Sequence, residues 1–142
     1  DMSTVMPKMM GLSDVQAIAD LEGAAQYLNM LNSTNNKIGI IGFCSGGRQS
    51  LMFACNSKRI QAAVDCYGGF IMQPEPTDTR PIAPIDMVEN LSCPLLGLFG
   101  KEDQNPSSED VANLEKILTK NALECAIEVV YLHLPIASIG DE

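Results

Sequence analysis

From Ser13 onward the apolar residues Val15, Ile18, Leu21, Ala25, Leu28 and Leu31 recur at helical spacing, which predicts a helix capped by Ser13 and running to about Asn32. Gly23 weakens that helix slightly, and the polar run Asn32-Ser33-Thr34-Asn35-Asn36 ends it. The pattern then changes. Residues 37–43 (K-I-G-I-I-G-F) form a short apolar run without alternation, which suits a strand buried on both faces of a parallel sheet. A second helix is expected to follow Gly46 and Gly47 and to reach about Asn56. Further strands are expected near 62–68, 94–100 and 127–133, with a helix capped by Ser107 or Ser108 that puts Val111, Leu114, Ile117 and Leu118 on one face. Strands alternating with helices imply crossover connections, hence an α/β fold of about four parallel strands in sequence-adjacent order with flanking helices.

Residues 70–92 carry four of the eight prolines, Pro74, Pro76, Pro81 and Pro84, and little periodicity. They predict a long loop above the sheet, with one short helical turn near 85–90. No repeat or low-complexity tract interrupts the chain, and its 142 residues fit a single domain over 1–142.

Charge narrows the function classes. Eighteen acidic residues stand against nine basic ones, a net charge of −9 that disfavours nucleic acid or an anionic membrane as partner. No apolar run approaches the roughly 20 residues of a membrane span. The amino end, with Lys8 as its one cation and no continuous apolar core, does not have the pattern of a signal peptide. Cys44, Cys55, Cys66, Cys93 and Cys125 form an odd set with no C-x-x-C pair and only one histidine to join them, so a zinc site is not expected. Reduced, mostly buried thiols in a cytoplasmic protein are the expectation.

The chemistry concentrates at Gly42-Phe43-Cys44-Ser45-Gly46-Gly47, between an apolar strand and a helix. This is the G-x-nucleophile-x-G pattern with cysteine at the nucleophile position. A sharp strand-to-helix turn holds such a residue in a strained conformation, and neighbours two residues away must be very small. The amide of Ser45 is the candidate oxyanion donor, and the helix amino end favours a thiolate. Two other possibilities compete. The segment is a near miss of a phosphate-binding loop, with Arg48 and Gln49 where lysine and a hydroxyl residue belong, and Cys44 could also simply pack in a glycine-rich turn.

Three blocks, I-G-F-C-S-G-G-R-Q-S, V-D-C-Y-G-G and C-P-L-L-G-L-F-G-K-E-D-Q-N-P-S-S-E-D-V, resemble in this order the dienelactone hydrolase (carboxymethylenebutenolidase) family of α/β-hydrolases. The resemblance covers about residues 13–131. It implies a Cys–His–Asp triad that opens enol-lactones through a thioester acyl-enzyme, without metal or organic cofactor. By position Cys44 matches the nucleophile and Asp103 the acid, and nucleophile, acid, histidine is the chain order of this fold. The family's histidine falls in a G-A-x-H-x-F segment, where this sequence reads Y-L-H-L-P-I-A-S. His133 is the only histidine and so the candidate base, with a strand-end histidine as the alternative. Arg48 and Tyr67 are candidate substrate contacts; a structural ion pair and a packed aromatic are their alternatives.

The resemblance also implies that the chain corresponds to the carboxyl-terminal portion of such a domain. The first strands, the loop giving a second oxyanion amide, and the family's acidic and arginine residues have no counterpart here. The sheet is then expected to have an open edge at the nucleophile strand, exposing apolar surface and favouring self-association. Two functions follow: a hydrolase of small esters or lactones, or a catalytically incomplete α/β fragment that needs a partner or the earlier strands.

Overall fold

The computed structural model describes residues 1–73, 75–120 and 127–132. Four strands, β1 (Gly39–Phe43), β2 (Ala62–Cys66), β3 (Leu95–Gly100) and β4 (Ile127–Leu132), form one sheet in the order β1-β2-β3-β4, each pair parallel. The expected strand order and direction are therefore present. Among the described residues β1 has β2 as its only strand neighbour, so the sheet has an open edge there. Ile40 packs towards the core, whereas Ile41 (59% exposed) and Phe43 (57% exposed) stand on the other face. The apolar run is thus covered on one face rather than both.

Helix α1 (Met2–Met10) was not predicted. Asp1 starts it by accepting the Ser3 amide at 3.1 Å, and Pro7 sits inside it. Proline within a helix lacks the amide for the preceding turn, which is why the sequence gives no helical signal there. Helix α2 (Asp14–Met30) begins where Ser13 predicts, with the Ser13 hydroxyl accepting the Gln16 amide at 3.4 Å. Helix α3 (Ser45–Asn56) starts before the glycines rather than after them, so Gly46 and Gly47 lie in its first turn. It packs on β1 and β2, with α2 against another side. Helix α4 (Ser108–Lys120) is opened by Ser107, whose hydroxyl accepts the Asp110 amide at 3.2 Å while the Asp110 carboxylate accepts the Ser107 amide at 2.9 Å. This reciprocal cap gives Asp110 a structural task.

The Pro-rich segment differs most from expectation. It forms two short 3-10 turns, Pro84–Asp86 and Val88–Asn90, and its Ile71, Ala83, Ile85, Val88 and Leu91 belong to the hydrophobic core. Their irregular spacing matches neither helical nor strand period, so pattern alone does not reveal their burial.

Candidate functional site

In a parallel sheet every strand ends at the same edge, and here that edge collects the candidate residues. Cys44 follows β1, Tyr67 follows β2, Asp103 follows β3, and β4 ends at Leu132, opposite Gly100. His133 and Cys125 lie outside the described residues.

Cys44 is exposed and adopts φ 54° and ψ −121°, a left-handed conformation that side chains other than glycine rarely take. Its amide donates to the Cys66 carbonyl at 3.0 Å, and its own carbonyl accepts the Arg48 amide at 3.2 Å. The strained residue is therefore held from both sides. A Cβ on Gly42 would meet the Gly46 carbonyl oxygen at 1.9 Å, so the turn closes only over glycine. Gly46 is different: a Cβ there meets nothing within 4 Å among the described residues. The second crowded position is Gly47, where a Cβ would lie 2.4 Å from Asp65 Oδ1 and 2.6 Å from the Cys66 carbonyl. The exposed Ser45 is the first residue of α3, where backbone amides have no partner within the helix. Its N–H is available beside the sulfur for a developing oxyanion.

Asp103 is half-buried in the turn after β3. Its amide donates to the Gly100 carbonyl at 3.3 Å, and its carboxylate lies over Gly100, where a Cβ would meet Oδ2 at 2.5 Å. Tyr67 has φ 46° and donates its amide to the Leu98 carbonyl at 2.8 Å. Its ring centroid is 6.3 Å from that of Phe43, the residue preceding Cys44, in a tilted pair. Tyr67 thus stands beside the elbow.

Arg48 does not reach the site. Its side chain is buried, paired with the Asp14 carboxylate at the start of α2, with Met52 Sδ at 2.9 Å and Gln73 Oε1 at 3.5 Å as further contacts. The expectation of a substrate contact gives way to the structural ion pair, because the first turn of α3 directs this side chain inward beneath α2. Asp14 also accepts from Gln49 Nε2 at 3.0 Å.

Sequence reasoning missed Asp65. It is 1% exposed on β2, its Oδ1 accepts the Gly68 amide at 2.8 Å, and burial pushes its pKa up to about 6 against the opposing pull of that hydrogen bond. The signal was an acid within the apolar run A-A-V-D-C-Y. Burial, and then the Asp65 charge, also raise the neighbouring Cys66 thiol. Cys55 is pushed up to about 12 by burial, with Cys93 adding to the shift. No cluster of three or more His, Cys, Asp or Glu side chains is placed to hold a metal among the described residues.

The sequence profile described as the dienelactone hydrolase family matches residues 1–131. The chain belongs to that family. A Yersinia pestis relative, named "Putative carboxymethylenebutenolidase", is 31% identical over 105 residues, which is 74% of this chain and 39% of that protein. A Bradyrhizobium sp relative, named "Probable 2-oxo-3-(5-oxofuran-2-ylidene)propanoate lactonase", is 31% identical over 106 residues, covering 74% of this chain and 42% of that protein. The crystal structure described as a "Putative Dienelactone Hydrolase" from Klebsiella pneumoniae subsp. pneumoniae MGH 78578 superposes with a TM-score of 0.74 at 28% identity. That match covers 84% of this chain and 48% of the other. This member of the dienelactone hydrolase family thus has the α/β-hydrolase architecture and spans less than half the length of these relatives. No helix among its described residues is long and apolar enough to cross a membrane.

Proposed function

We propose that this chain carries the nucleophile and acid of a hydrolase that acts on small carboxylic esters or lactones. The observation that supports it most is Cys44 itself: exposed, strained at φ 54°, and placed at the amino end of α3 next to the Ser45 amide. Cys44 Sγ attacks the acyl carbon, and the Ser45 N–H stabilises the charge that develops on the carbonyl oxygen. The tetrahedral adduct collapses to a thioester, and the departing alcohol or enol oxygen takes the proton that an imidazole received from the thiol. Water, deprotonated by the same imidazole, then cleaves the thioester and releases the acid. Asp103 orients the imidazole, and His133 is the only histidine available in this chain for that role. Tyr67 flanks the acyl site, and the free thiols of Cys44, Cys55 and Cys66 fit a reducing, cytoplasmic setting.

A second possibility is supported by the exposed Ile41 and Phe43 on β1: a fragment that holds part of the site and needs another segment or partner to act. Hydrolysis of p-nitrophenyl acetate and of an enol-lactone by wild-type and Cys44→Ala chains separates the two. Loss of hydrolysis in Cys44→Ala supports the enzyme. Wild-type chain that labels at Cys44 yet hydrolyses neither substrate supports the fragment. Undiminished hydrolysis in Cys44→Ala overturns the nucleophile assignment.

A further inference from the structure

Two side chains outside the proposed triad grip the turn that follows β2. From below, Asp65 Oδ1 accepts the Gly68 amide at 2.8 Å. From the β3 side, Asn105 Oδ1 accepts the Phe70 amide at 2.7 Å, and the same side chain lies 3.3 Å from where a Cβ of Gly69 would stand. The turn they hold contains two residues with positive φ, Tyr67 at 46° and Phe70 at 56°. Such conformations persist only where surrounding contacts over-determine them.

The same turn touches the nucleophile elbow. A Cβ on Gly68 would lie 2.4 Å from the Arg48 backbone nitrogen and 2.7 Å from the Gly47 carbonyl carbon. Asp65 Oδ1 fills the space where Cβ atoms of Gly47 and Gly68 would be, at 2.4 and 2.5 Å. The Cys66 carbonyl, one residue before the turn, accepts the Cys44 amide. Asn105 for its part lies two residues beyond Asp103. A continuous path of contacts therefore runs from the Cys44 elbow through residues 67–70 to the Asp103 turn.

We propose that Asp65 and Asn105 are positioning residues that clamp the 67–70 turn at both ends and so fix the Cys44 elbow relative to the Asp103 turn. Their importance for turnover rests on the hydrolase proposal; the mechanical coupling does not. If each side chain merely satisfied its own amide, removing it would be felt at that amide alone.

The test uses the full chain and two readouts independent of turnover: amide hydrogen exchange by NMR, and the iodoacetamide rate constant of Cys44. Asn105→Ala is the primary variant, because Asn105 is exposed and its loss does not hollow the core. Exchange is expected to speed up by about tenfold at Phe70 and also at the remote amides of Gly68 and Cys44. The Cys44 rate constant is expected to change by about threefold or more, since thiol reactivity depends on its setting. Asp65→Ala is expected to do the same from the other end. Asn105→Asp and Asp65→Asn keep an acceptor oxygen and are expected to stay within about twofold of wild type. Slow labelling of Cys55 certifies the fold; should Asp65→Ala lose it, Asn105→Ala and its rescue decide alone. Acceleration confined to Phe70, with Cys44 alkylation unchanged, overturns the proposal. Full ester hydrolysis in Cys44→Ala would instead sink the hydrolase proposal and leave the clamp standing.

Discussion

Gly42 and Gly46 flank Cys44 symmetrically in sequence but not in space. A Cβ on Gly42 would overlap the Gly46 carbonyl oxygen at 1.9 Å, while one on Gly46 meets nothing within 4 Å among the described residues. Gly42→Ala must therefore push the first turn of α3 away from β1, at a cost of about 1–3 kcal/mol. Gly46→Ala is expected to be neutral or to stabilise by up to about 1 kcal/mol, through helix propensity. Urea unfolding of the two variants checks this. Equal effects would contradict the asymmetry.

Arg48 and Asp14 bind α3 to α2 through a buried ion pair with 3% and 2% of their side chains exposed. Asp14→Ala strands the guanidinium in the interior and is expected to cost about 3–5 kcal/mol. Replacing both partners with apolar residues, Asp14→Leu with Arg48→Met, should recover most of that loss. Denaturant midpoints of the single and double variants decide it.

Asp65 makes stability fall as pH rises. Its folded pKa of about 6 lies above the ordinary 3.8, so the folded chain binds more protons than the unfolded chain between those values. Stability attributable to this group is therefore fullest below the unfolded pKa and declines as pH rises through about 6. The full swing is on the order of 3 kcal/mol. Asp65→Asn keeps the acceptor for Gly68 and removes the titration. It should melt higher than wild type at pH 7–8 and lose that advantage near pH 4. An advantage that does not change with pH would exclude Asp65 as its source.

Limited iodoacetamide at neutral pH should label Cys44 before Cys55, Cys66 and Cys93, because Cys44 is exposed and the others are buried. With its thiol raised to about 12, Cys55 holds almost no thiolate at pH 7, so Cys44 is expected to label at least about 100-fold faster than Cys55. Peptide mass mapping gives the order. Uniform labelling would mean that the elbow is not formed.

The open edge at β1 leads to an expectation about association. Ile41 and Phe43 face outward on a strand with an unpaired side, so the wild-type chain should self-associate with rising concentration. Ile41→Lys with Phe43→Lys places charge on that edge and should shift sedimentation towards monomer. A compact wild-type monomer at high concentration would remove the basis for this expectation.

What the sequence disclosed and what it hid divide along physical lines. Short apolar runs bounded by polar or glycine residues located all four strands, and Ser13 and Ser107 marked two helix starts, because hydrophobic period and capping are local properties. The Cys44 turn was legible because its glycine spacing is local, whereas Asp103 was singled out by the family resemblance. That Gly47 rather than Gly46 is the crowded glycine after Cys44 was not legible, since that depends on Asp65 and Cys66 approaching from 18 or more residues away. Arg48 shows the same limit: its position one turn beyond Cys44 suggested the site, yet a distant Asp14 draws it inward. The core residues of 71–91 stayed hidden because irregular backbone leaves no period to read.

The hydrogen bond from the Cys44 amide to the Cys66 carbonyl has a consequence for assembly. In the observed pairing Phe43 lies opposite Cys66 and Gly42 opposite Asp65. A slip of one residue between β1 and β2 would turn β2 over, carrying the Asp65 carboxyl to the opposite face and taking the Cys66 carbonyl out of reach. Without that anchor, Cys44 would be held in its left-handed conformation from one side alone, by the Arg48 amide on its carbonyl. The elbow thus acts as a registration pin: the full set of contacts on Cys44 forms only once two strands distant in sequence have docked in the one correct alignment.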